Sequence, residues 1–357
     1  MMLKRSTALK SKWFKGCLFA SVVLLVLACE KESPQQDPQI KKGFFVVNQG
    51  NFTAGNASLS FFNTDNQEIS NNIFYQKNGV PLGDVAQSLC FANELAYIVV
   101  NNSGVVWAID PNDASIVEKI SGLTSPRFIC PVSKQKAYIS DFQMQGLNIL
   151  NLETKKIVGT IATGKTTEAM VLFEDKVFVS NWSQYNQTTY NNTIQIIDAL
   201  SDRVVDSIVV TKEPNSMICD KNNKLWVLCS GGYLNEEMPA LYRIHPVSHM
   251  IEKKILFPNL NSSPEQLTVN QAKDTLFFLN NGVFKMSVND DVLPKNAFIE
   301  SGKRTFISLA VDPYRGDIIV TDAGNYVQKG LVFRFRPHGT IIDSVAAGII
   351  PGFIAFN

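Results

Sequence analysis

Few side chains here carry reactive chemistry in a pattern that would use it. The 357 residues include three histidines. His245 and His249 are four apart, but Pro246 between them prevents a shared helix face for a metal, and His338 precedes Gly339 in a turn. No glycine-rich phosphate loop joins a strand to a helix, and no serine sits in a nucleophile elbow. Asp141, Glu168, Glu265 and Asp322 would form a hydrolase-type cation site only if their oxygens converged. The chain is therefore expected not to be an enzyme, with no catalytic residue, resident metal or cofactor assigned.

Recognition chemistry is better supplied. Aromatic rings stand beside amides in four loops: Gln49 to Phe52, residues 182–192, Ser230 to Met238, and Asn325 to Lys329. Ring faces bury apolar surface while Asn and Gln donate and accept, which suits a bulky, neutral, hydrogen-bonding ligand, a carbohydrate or a peptide. Asn51, Phe52, Trp182, Tyr185, Tyr233 and Tyr326 are the candidates from these loops.

These loops need elements to hold them, and a repeat provides them. A short apolar strand ending in a polar turn recurs seven times, with Phe45, Tyr97, Tyr138, Phe178, Trp226, Phe277 and Ile319 as anchors. The spacings are 52, 41, 40, 48, 51 and 42 residues. Four short strands per such unit is propeller spacing. The expected fold is all-β: a seven-bladed propeller with four antiparallel strands per blade and no helix. Residues 353–356 should form the inner strand of a blade whose other three strands come from 43–76, so both termini share the closing blade.

On this fold, the loop leaving each repeat's first strand and the loop before its fourth strand share one face. That face collects Asn48, Asp141, Asn181, Asn280 and Asp322 from the first, and Gln87, Arg127, Glu168, Asn215 and Glu265 from the second, followed there by Ile307 and Gly352. Asp or Asn at a strand end also commonly satisfies a backbone turn, so either role is open for the first group.

Composition agrees with an exported binding protein. At 45% hydrophobic and 18% charged residues, the chain is neither disordered nor multi-spanning. Its 33 basic and 32 acidic residues exclude a strongly basic nucleic-acid binder. Five cations precede a 12-residue apolar run at 17–28, too short to cross a bilayer but suited to a signal peptide. Without residues 1–28 the balance is 28 basic to 32 acidic. Val26-Leu27-Ala28-Cys29 resembles a bacterial lipobox, which implies cleavage before Cys29 and its lipidation. Residues 29–42 then read as a lipidated cysteine and flexible tether, and 43–357 as the propeller. Glu30-Lys31-Glu32 resembles the charged signal for the outer face of the outer membrane, so a lipid-anchored, surface-exposed location is expected. Export permits disulfides between Cys90 and Cys130 or between Cys219 and Cys229, although burial as small apolar residues suits all four.

The segments NQGNF-x-AGNASLSFFN at 48–63 and NGVPLGDVAQSL at 78–89 resemble the amino-terminal blade of the DUF5074 family, YncE-like propeller lipoproteins of Bacteroidetes. The blade rhythm is similar to the wider YVTN-repeat group. One branch of the family binds cobalamin at the cell surface and caps a TonB-dependent outer-membrane transporter. The resemblance thus implies nutrient capture with cobalamin as leading ligand and such a transporter as partner. A protein- or glycan-binding adhesion or scaffold role is the alternative.

Overall fold

The computed structural model describes residues 42–183 and 192–356. The leader, Cys29, nearly all of the tether and Tyr185 lie outside them. The described chain forms seven four-stranded antiparallel sheets. The first blade supplies β1 (Gly43–Asn48), β2 (Ser58–Asn63) and β3 (Glu68–Ser70). A helix, α1 (Ile73–Asn78), leads to β4 (Ala86–Ala92), β5 (Leu95–Val100), β6 (Val105–Ile109) and β7 (Ile116–Ile120) of the second. The third holds β8 (Pro126–Pro131), β9 (Lys136–Asp141), β10 (Gly146–Asn151) and β11 (Lys156–Ala162). The fourth holds β12 (Met170–Phe173), β13 (Lys176–Ser180), β14 (Thr193–Asp198) and β15 (Arg203–Val209). The fifth holds β16 (Pro214–Cys219), β17 (Leu225–Cys229), β18 (Ala240–Ile244) and β19 (Ile251–Leu256). The sixth holds β20 (Glu265–Val269), β21 (Thr275–Leu279), β22 (Gly282–Ser287) and β23 (Ile299–Glu300). The seventh holds β24 (Phe306–Val311), β25 (Ile318–Asp322), β26 (Lys329–Phe335) and β27 (Ile341–Ile349), and β28 (Pro351–Phe356) follows it.

The sheet order β28-β1-β2-β3 closes the ring as the repeat predicts. Phe44 pairs with Phe356, Phe45 with Ala355, Val46 with Ile354 and Val47 with Phe353. The inner strands β4, β8, β12, β16, β20, β24 and β28 each touch the next, around to β4 again. Hydrophobic clustering follows the same circle. Seven clusters each straddle one blade–blade junction, from Phe45 with Trp107 between the first two blades to Phe62 with Ile319 between the first and last. The strands second from the axis are covered on both faces by neighbouring blades, so LAYIVV and LWVLC read as unbroken apolar runs. The outer strands β11 and β15 have one covered face and alternate accordingly.

Helix α1 departs from the all-strand expectation. Phe74 is fully buried beside Trp107, and Asn78 Nδ2 donates to Phe74 O at 2.9 Å and Ala114 O at 2.8 Å. Gly79 (φ 69°) ends the helix in the left-handed conformation. This turn of helix seals the outer side of the first junction, which the three-residue β3 is too short to cover. The four described cysteines are free thiols. Cys219 faces Leu225 and Cys229 faces Pro214, at opposite ends of one strand pair. Cys90 packs at the junction of blades two and three, and Cys130 at that of three and four.

Candidate functional site

The inner strands surround a central cavity of about 730 Å³. Its side chains arrive there by a shared local device. Strand pairing slips between Ala86 and Ser88, Pro126 and Ile129, Pro214 and Ser216, and Phe306 and Ser308. A similar irregularity lies opposite Gly352. Such bulges leave Gln87, Arg127, Asn215, Ile307 and Gly352 outside the ladder and re-aim them. All five line the cavity, together with Glu168 and Glu265. Proline opens β8, β16 and β28, where a strand's first residue tolerates the missing N–H. Val85, Glu213 and Ile350, two residues before a bulge, have φ of 57°, 56° and 52°. For β-branched Val85 and Ile350 this is an unusual backbone state, and both sit on the cavity wall.

Polar groups occupy this register in five consecutive blades, and three of them form one unit. Arg127 Nε and Nη2 each donate to Glu168 at 2.7 Å, and Nη1 donates to Gln87 Oε1 at 2.7 Å. The Glu168 side chain is 3% exposed and that of Arg127 13%, so the pair is largely desolvated. The guanidinium lies 5.2 Å from the Phe142 ring centre and 5.7 Å from that of Trp182. Asn215 is held too: Nδ2 donates to Pro264 O at 2.8 Å, and Oδ1 accepts from Ser216 Oγ at 2.7 Å. Burial pushes the Glu265 carboxyl up to about 7. The phenol of Tyr326, also on the wall, is raised by burial and then by the negative charge of Glu265. Phe128, Met170, Met217, Leu267, Leu309 and Phe353 supply the apolar wall.

The other sequence-predicted residues divide by position. Asn48 is fully buried; Nδ2 donates to Ser60 Oγ at 2.9 Å and Oδ1 accepts from Gly348 N at 2.9 Å. The Asp141 carboxylate accepts from the backbone of Ser125, Gln143 and Met144 at 2.8–2.9 Å. Asn181 Nδ2 donates to Thr166 O and Gln195 Oε1 at 3.0 and 2.9 Å. Asp322 Oδ1 accepts from Thr305 N and Gly324 N at 2.8 and 2.9 Å. These four serve turns and neighbouring strands and do not line the cavity, nor does half-buried Asn280. The carboxylates of Asp141, Glu168, Glu265 and Asp322 consequently do not converge, and the described residues contain no cluster of three metal-ligating side chains. Asn51 Nδ2 donates to Tyr326 O at 2.6 Å, tying the first and seventh blades together at the mouth. Phe52 is 71% exposed and Tyr233 67%, both outside the cavity. Trp182 is on its wall.

Phe128, Phe353 and the two methionines are cavity residues that loop composition does not reveal. The proline before the bulge in Ser125-Pro126-Arg127, Glu213-Pro214-Asn215 and Ile350-Pro351-Gly352 is the sequence signal that marks where the wall begins.

Comparison with known proteins agrees with this architecture. A domain of unknown function, DUF5074, matches residues 42–346. No curated protein matches the chain. Among solved structures, a Quinonprotein alcohol dehydrogenase-like protein from Bacteroides thetaiotaomicron is similar at TM-score 0.69 and 14% identity, over 89% of this chain and 78% of that one. Virginiamycin B lyase from Staphylococcus aureus is similar at TM-score 0.60 and 12% identity, over 76% and 88%. Hydrazine synthase from Kuenenia stuttgartiensis gives TM-score 0.59 at 11% identity, over 75% and 88%. Their names span different chemistries, so these likenesses carry the fold alone.

Proposed function

We propose, from the premise that the chain belongs to the DUF5074 family, that its ring captures a small amphiphilic nutrient without transforming it. Cobalamin is the leading candidate by family resemblance. In this reading the protein is anchored through lipidated Cys29 at the outer-membrane surface and passes its ligand to a TonB-dependent transporter. The observation that carries the reading is the central cavity, where an arc of polar side chains alternates with apolar ones along the same inner strands, with Trp182 and Tyr326 among the lining residues. A concavity of this size that combines placed polar groups with apolar and aromatic side chains is what small-ligand sites use. A corrinoid would rest its amides on the arc and its body on the rings. Exposed Phe52, Tyr233, Leu234 and Val327 favour a second reading, a protein- or glycan-binding scaffold, because isolated pocket chemistry does not need them.

The test is calorimetric titration of residues 30–357 with cyanocobalamin. Micromolar binding with a spectral shift is the expected result, and Trp182→Ala should weaken it by about 1–3 kcal/mol. No heat and no shift would eliminate cobalamin. Retention of the ring on a surface polysaccharide would then favour the scaffold reading.

A further inference from the structure

The polar arc has one member left over. Gln87, Arg127 and Glu168 are bonded to each other, and Asn215 is bonded to Pro264 and Ser216. Glu265 has no hydrogen-bond or ion-pair partner among the described residues. Glu265 is half-buried on the cavity wall, and a carboxylate that the protein leaves unpaired there is open to a partner from outside. Charge leads to the same place. Among the described residues, the charged side chains on the wall are Arg127, Glu168 and Glu265, and closing the first two on each other leaves one uncompensated acid.

The neighbourhood does not supply a counter-charge. Inner strands β16 and β24 flank β20, and β21 pairs with it; none of the three contains Lys, Arg, Asp or Glu. Cys219, at the far end of β16, is the one titratable side chain on those three strands. Tyr326 is the titratable group that interacts with Glu265, and its phenol holds its proton. Arg127 and Glu168 belong to blades three and four, already paired.

We propose that the cavity's ligand carries an ammonium group, received by Glu265, with its apolar body against Phe353, Leu309 and Leu267. A carboxylate with the Tyr326 ring near it is a good receptor for an organic cation. A neutral alcohol of the same shape would leave the carboxylate desolvated and unmatched. The inference rests on the capture reading and specifies the chemical class for it.

The experiment uses residues 30–357 and pairs of compounds differing only in the headgroup: tryptamine with tryptophol, and octylamine with octan-1-ol. At pH 7.5 at least one amine should bind tenfold or more tightly than its alcohol. Glu265→Gln should abolish that preference, as should pH 5.5, where Glu265 carries its proton. The variant removes a lone half-buried acid, so its urea midpoint at pH 7.5 should equal or exceed that of the parent. Equal binding of amine and alcohol, a preference that survives Glu265→Gln, or no binding of either amine overturns the proposal. Cyanocobalamin serves as a parallel arm. Heat from it without an amine preference refutes the ammonium inference and leaves capture standing; an amine preference without cobalamin heat does the reverse to cobalamin. Silence from every compound removes the capture reading itself.

Discussion

Breaking the Arg127–Glu168 pair tests whether the pair is as desolvated as its burial implies. Glu168→Gln keeps the shape of the side chain but leaves a guanidinium, 13% exposed, with neutral acceptors alone. Removing one partner of a buried pair costs about 3–5 kcal/mol, since the remaining charge stays desolvated. Arg127→Ala leaves Glu168 similarly stranded and also vacates the space between Phe142 and Trp182, so its cost should be at least as large. Replacing both, as Arg127→Met with Glu168→Leu, removes the desolvation problem and should return to within about 1–2 kcal/mol of the parent. Urea unfolding at pH 7.5 reads the effect. With a slope of roughly 3 kcal/mol/M, each single variant should lower the midpoint by about 1–1.7 M at unchanged slope. The double-mutant cycle should give a coupling above about 2 kcal/mol. Singles costing under about 1 kcal/mol, the range of solvent-exposed pairs, would refute the reasoning, because the pair would then be hydrated.

Other expectations follow from the same geometry. Deleting residues 352–357 takes Phe353, Ile354 and Phe356 from the closing blade; at about 1.5–3 kcal/mol per large side chain the ring should lose its cooperative melt, and an unchanged melting temperature by circular dichroism would contradict the closure. Asp141→Ala removes three backbone contacts, and should cost about 1–3 kcal/mol in urea unfolding while leaving calorimetric ligand affinity as it was. Burial pushes Glu213 and Glu265 from an ordinary 4.5 up to about 7, so between those values the folded chain binds more protons than the unfolded one. Their stabilisation is complete below 4.5 and is lost as pH rises to about 7. The urea midpoint should therefore fall from pH 5.5 to 7.5, and Glu213→Gln should reduce that fall; a midpoint that rises across this window in the parent would contradict the burial of both groups.

Sequence alone determined the ring. Seven apolar anchors at 40–52-residue spacing require stacked blades, because a strand buried on both faces needs a sheet on either side. The first repeat lacks an inner strand of its own, and the apolar run Phe353-Ile354-Ala355-Phe356 supplies one by pairing with Phe44 to Val47. Sequence also placed Gln87, Arg127, Glu168, Asn215 and Glu265 in one register. Only tertiary structure decided which polar side chains remain open. Asn48 and Asp141 look like Gln87 and Glu265 in the sequence, but they stand one strand further from the axis, where turn amides and neighbouring strands claim their oxygens. Whether a carboxylate finds a guanidinium depends on which blades are neighbours and how a bulge turns each side chain. Arg127 and Glu168 meet across 41 residues of chain, and Glu265 is left facing the cavity without a counter-charge.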